Sequence, residues 1–220
     1  MPPVSKDPIL TVRGEATLNC EPDLASLWWS ARTRTDTAEQ AESAVAKHLA
    51  MADTLLAEHA DAIQRIERRV HVSPQFGEDN TQAIGYLGEC SAQIDLHDFT
   101  QLTDLISGLL QIPDAAISGP NWSLQPHNPV FTSARLAAIQ DARRRAHDYA
   151  AAFGVKPTAV LEVIDEPASA PGFRMAMRTA AFDGGAPALE LQPVPQVVTA
   201  SVTVRFGMGT PDSTALDRPD

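Results

Sequence analysis

The chain has 220 residues, with 17 Lys and Arg against 28 Asp and Glu, for a formal net charge of −11. That length suits one domain or two small interleaved ones with a real core. The acidic balance argues against nucleic acid as a partner, and no apolar run approaches the ~20 residues of a membrane-spanning helix. The opening MPPVSKDP shows no basic segment followed by an apolar one, and two cysteines are too few for a disulfide framework. The expectation is a cytoplasmic protein without a membrane span.

Residues 9–18 (ILTVRGEATL) are rich in strand formers and run into a turn signal at 19–23. The next run, 24–35, holds Trp28 and Trp29, then alternates Ala31, Thr33 and Thr35 with Arg32 and Arg34, as a strand with one buried face does. Thr37 with Gln40 resembles a capping box, and Ala41, Val45, Leu49, Ala52 and Leu56 mark the buried stripe of a first helix. Residues 63–76 read as a third strand, 77–81 as a turn and 83–96 as a fourth strand. Phe99, Leu102, Leu105, Ile106 and Leu109 share one side of a second helix, which Pro113-Asp114 stops before a strand over 115–124. The order strand–helix–strand–strand–helix–strand over 24–125 predicts a ferredoxin-like βαββαβ unit.

The longest helix is expected over 130–153, on a stripe of Phe131, Ala134, Ala138, Ala142, Ala146, Tyr149 and Phe153, with Gly154 as its C′ residue. Residues 158–164 read as a strand, and 197–206 alternate strictly. The strand near 9–23, this helix and the last two strands predict a second small α/β unit from 9–23 and 126–206, so the fold class is α+β. Within it, 167–196 form a Pro/Ala/Gly-rich insertion with Met175 and Met177 and no sustained period. An arm of that length is expected to be a flexible surface loop or to order on a partner subunit. Residues 1–8 and 209–220 read as tails.

The motif order resembles the SIMPL domain family, also called domain of unknown function 541. The carrying segments are ILTVRGEATLNCEPDLASL at 9–27, VHVSPQF at 70–76 and IGYLGECSAQIDLHDFTQLTDLI at 84–106. ARLAAIQDARRRAHDYAAAFGV at 134–155 and VTASVTVRF at 198–206 complete them. Each is weak alone, and five in order are specific. The resemblance implies kinship with exported bacterial immunogenic proteins, with proteins tied to oxidative-stress defence and with an animal member that binds a signalling kinase. It implies homo-oligomers, one of them ring-like, and no catalytic residues to carry over. The absence of a visible export signal departs from the common bacterial pattern.

Catalytic motifs are absent: the chain has no G-x-S-x-G, Walker A, G-x-G-x-x-G after a strand, or H-E-x-x-H. His48, His59, His71, His97, His127 and His147 include no pair spaced to aim both rings at one metal from a helix face, so neither metal nor cofactor is expected. Cys20 and Cys90 are weak redox candidates, because Glu21 and Glu89 beside them raise a thiol pKa. Arg143, Arg144 and Arg145 point about 100° apart on a helix and cannot converge on one phosphate. Trp28 and Trp29 face opposite sides of a strand, so one fills the core and its neighbour faces solvent, a domain or a second subunit. Trp28, Trp29, Met175 and Met177 are therefore the candidate oligomer interface. The expected function is a non-enzymatic, self-assembling protein linked to stress tolerance. The alternatives are a small-molecule binder or enzyme using a cleft between the two units, and a protein-interaction adaptor.

Overall fold

The computed structural model describes residues 8–77, 82–166 and 191–210. Met175 and Met177 lie outside them. The elements run β1 (Ile9–Cys20), β2 (Leu24–Thr35), α1 (Ala38–Glu58), β3 (Ile63–Phe76), β4 (Ala83–Leu96), α2 (Leu102–Leu109), β5 (Ala115–Ser123), α3 (Pro129–Ala152), β6 (Pro157–Glu166) and β7 (Gln196–Met208). Two antiparallel sheets result, one ordered β3-β4-β2-β5 and the other β1-β7-β6, and the fold is α+β. The contacts divide the chain into two units, one around each sheet.

In the four-stranded unit the order β3-β4-β2-β5 is the ferredoxin-like one. Every second residue of β2 turns inward: Ala25, Leu27, Trp29 and Ala31 are buried against Leu96, Ile94, Ala92 and Cys90, their register partners on β4. Leu102, Leu105, Ile106 and Leu109 of α2 close the same core. Fully burying a side chain such as Leu27 or Leu105 contributes ~2 kcal/mol through apolar area removed from water. Thr37 Oγ1 accepts from Gln40 N at 3.3 Å and starts α1. Asp98 accepts from the Thr100 hydroxyl and N–H ahead of α2, which holds its carboxyl below the usual range.

One position of the α1 stripe differs from the expectation. Ala41, Val45, His48, Ala52 and Leu56 are buried, whereas Leu49 is half-buried at the edge of the core. Positions 48 and 49 flank the centre of the stripe equally at 100° per residue, so periodicity alone does not choose between them. The helix carries an imidazole inward whose Nδ1 has no hydrogen-bond partner among the described residues.

The three-stranded unit has a simpler core. Val198, Ala200, Val202, Val204 and Phe206 of β7 face α3, beside Val12 and Gly14 of β1. α3 buries Ala134, Ala138, Ala142, Ala146 and Ala150, a strict every-fourth-residue row. Such a row is inclined to the helix axis, so the buried side turns as the helix crosses the strands. By the last turn that side is Ala150's, and Tyr149 and Phe153, expected in the stripe, are exposed. Asn128 Oδ1 accepts from Val130 N at 2.9 Å, with Pro129 in the first turn. At the far end Gly154 has φ +67°, and the bonds Val155 N to Ala150 O and Gly154 N to Ala151 O, both 2.9 Å, form a Schellman cap.

The alanine row lets α3 lie almost on the backbone of β1. A Cβ on Gly14 would fall on the carbonyl oxygen of Ala138 and within 2.5 Å of the Ala142 nitrogen. Gly88 of β4 has the same relation to α1, with Ala41 O and Val45 Cγ2 each 2.9 Å from where a Cβ would stand. Backbone atoms cannot swing aside as a flexible side chain can. Gly14→Ala is therefore expected to destabilise the fold by about 3 kcal/mol, at the top of the range for overpacking. Gly154→Ala, with open space around its Cβ but a left-handed backbone, should cost only about 1 kcal/mol. Urea denaturation of both variants tests this ordering, and equal losses would contradict the close-approach account.

Candidate functional site

The face of the four-stranded sheet turned away from α1 and α2 carries the polar phase of three strands. β2 contributes Ser26, Trp28, Ser30 and Arg32; β4 contributes Glu89, Ser91, Gln93 and Asp95; β3 contributes Arg65, Glu67, Arg69 and His71. The register sets Trp28 opposite Gln93 and Arg69 opposite Ser91, so side chains from three strands meet on one surface.

Asp95 anchors it. Although on a polar face, it is buried, and its carboxylate accepts from Ser26 Oγ at 2.7 Å, Gln93 Nε2 at 3.3 Å and Arg65 Nε at 3.1 Å. A buried charge persists when it is paired and hydrogen-bonded, as here. Arg65 also reaches Glu67 at 3.0 Å, and Arg32 pairs with Glu89 at 3.0 Å. Next to this network the guanidinium of Arg69 lies over the indole of Trp28, 5.6 Å from the ring centroid. Trp28 is 36% exposed. Beside it β5 bulges: Ser26 pairs with Asn121 and Trp28 with Ser118, so Gly119 and Pro120 stand opposite Leu27 alone. The outcome is an amphipathic aromatic, partly exposed, with one cation over its ring.

The remaining candidates fall elsewhere. Trp29 is fully buried in the core, so of the tryptophan pair only Trp28 is placed to touch a second chain. Cys90 is buried too; loss of solvent pushes its thiol up, and the charge of Glu89 adds to the rise. Cys20 ends β1, half-buried. His59 Nδ1 is 2.8 Å from Gln101 Oε1, and among the described residues no three His, Cys, Asp or Glu side chains converge as a metal site. Asp141 binds Arg144 and Arg145, so two of the three consecutive arginines are ion-paired on α3. A shallow groove of about 360 Å³ runs between α1 and α2, lined by Met51, Thr54, Leu55, Gly108, Gln111 and Ile112 without a charged group.

Sequence reasoning reached Trp28 and missed Asp95, Arg65 and Arg69. Their signal was present as a shared alternation phase, but it becomes a cluster only once the order β3-β4-β2 and its register are known.

Comparison with known proteins completes the picture. No curated protein matches the chain. The SIMPL family model, described as a protein of unknown function (DUF541), matches residues 10–206 and so takes in every element from β1 to β7. The chain belongs to the SIMPL (DUF541) family.

Proposed function

We propose that the protein is a non-enzymatic, self-assembling member of its family, whose copies meet through the sheet face around Trp28. The observation that carries this reading is Trp28 itself: a large aromatic, 36% exposed, held in place by Arg69 on a face braced by Asp95. Aromatic and arginine side chains dominate the energetics of protein interfaces, and a pre-positioned pair loses little side-chain freedom on binding. In this reading a contribution to oxidant tolerance comes from the assembly and not from Cys90, whose burial raises its thiol pKa and closes it off from solvent.

Light scattering after size exclusion tests the assembly directly. The expected result is a discrete species at a multiple of 23.6 kDa, and Trp28→Ala should shift it to a smaller mass while the circular dichroism spectrum is kept. A parent protein that runs as a 23.6 kDa monomer would overturn the reading. The thiols give a second check. With an aromatic disulfide reagent, Cys90 should stay unlabelled in the native protein and react only in denaturant. Rapid labelling of Cys90 in the folded protein would return thiol chemistry to consideration.

A further inference from the structure

We infer that copies join head to tail by strand addition, the free edge of β6 in one copy pairing with the free edge of β3 in the next. This rests on the self-assembly reading above and adds to the contact around Trp28 a second one along the strand edges. Among the described residues four strands are sheet edges: β3 and β5 in one sheet, β1 and β6 in the other. An edge strand presents backbone N–H and C=O groups that another strand can pair.

Two of the four edges are blunted. Along β1, side chains of α3 occupy the backbone groups: Asp141 Oδ2 accepts from Glu15 N at 3.2 Å, and Arg145 donates to Arg13 O at 2.9 Å. β5 is interrupted by its bulge at Gly119 and Pro120. β3 keeps an unbroken register from Arg65 to Gln75, and β6 keeps one from Glu162 to its end. Both also hold apolar side chains in solvent. Val70 of β3 is 56% exposed, and Val163 and Ile164 of β6 are 56% and 45% exposed.

Charge selects which edge meets which. β3 carries Arg65, Arg68 and Arg69 against Glu67, while the regular part of β6 carries Glu162 and Asp165. Several of these are neutralised within their own copy: Arg65 by Asp95 and Glu67, Arg68 by Asp53, and Glu162 by Arg205. Arg69 and Asp165 have no ion-pair partner among the described residues. A β6–β6 contact brings acid to acid, and a β3–β3 contact brings arginine to arginine. The mixed contact alone is complementary, and like-charge juxtaposition excludes the other two. An antiparallel register that sets Asp165 opposite Arg69 also sets Ile164 opposite Val70. Because the two surfaces differ, the contact is heterologous, and its repetition generates a closed ring or an open filament.

Charge reversal in the full-length protein tests this. The solution mass would be measured for the parent, Arg69→Asp, Asp165→Arg and the double variant, each checked for a native circular dichroism spectrum. Each single reversal should drop the mass toward 23.6 kDa, and the double variant should regain the parent mass because it restores an acid–base pair across the contact. A parent oligomer that survives both single reversals would overturn this pairing and leave assembly through another surface standing. Loss in the single variants without recovery in the double would also overturn it. A monomeric parent would remove both this pairing and the assembly reading.

Discussion

Two missing side chains set how closely helices lie on sheets in this protein. At Gly14 the backbone of α3 approaches β1 until no Cβ fits between them, and at Gly88 α1 does the same over β4. For α3 the rest of the packing depends on that approach. Its buried row is alanine throughout, and an alanine contributes little apolar area. Such a helix is held by many short contacts, whose dispersion energy falls away within a fraction of an ångström. The capped ends fix where the helix starts and stops. Asp141 and Arg145 then tie its flank to the β1 backbone, so the close approach comes with a defined position along the strand.

Much of this was legible from local pattern. The strict alternation of β7, the caps at Thr37 and Gly154, and the element order of the ferredoxin-like unit are short-range signals, and each corresponds to an observed feature. The five segments that pointed to the SIMPL family all fall in or touch residues 10–206. What escaped was non-local. Whether Tyr149 and Phe153 are buried depends on the angle at which α3 crosses a twisted sheet, which periodicity along one helix does not contain. The burial of Asp95 depends on Arg65 arriving from a strand 30 residues away. Likewise, Pro74 inside β3 is a local mark of an edge strand, but the regular part of β6 carries no such mark and strand order alone places it.

The face around Trp28 is a polar surface whose charged groups are largely bonded to one another. The carboxylate of Asp95 is consumed in holding Arg65, Ser26 and Gln93, and Glu89 is consumed in holding Arg32. Groups engaged in this way cross-link the strands from which Trp28 and Arg69 project. An interface built on such a platform loses less conformational freedom when it forms.

The pairing of β1 with β7 has a consequence for the order of events during synthesis. Ile9 pairs with Gly207 and Cys20 with Gln196, so the first of the described strands to be made lies beside the last of them. Among the described residues its only strand neighbour is β7, and the helix that covers it begins at Pro129. The strands and helices of the four-stranded unit, from Leu24 to Ser123, are all translated in the interval. The leading strand therefore emerges from the ribosome with an apolar phase and no partner, and it waits while a complete neighbour can fold behind it. The polar residues that alternate along it (Thr11, Arg13, Glu15 and Thr17) are what keep that waiting segment soluble.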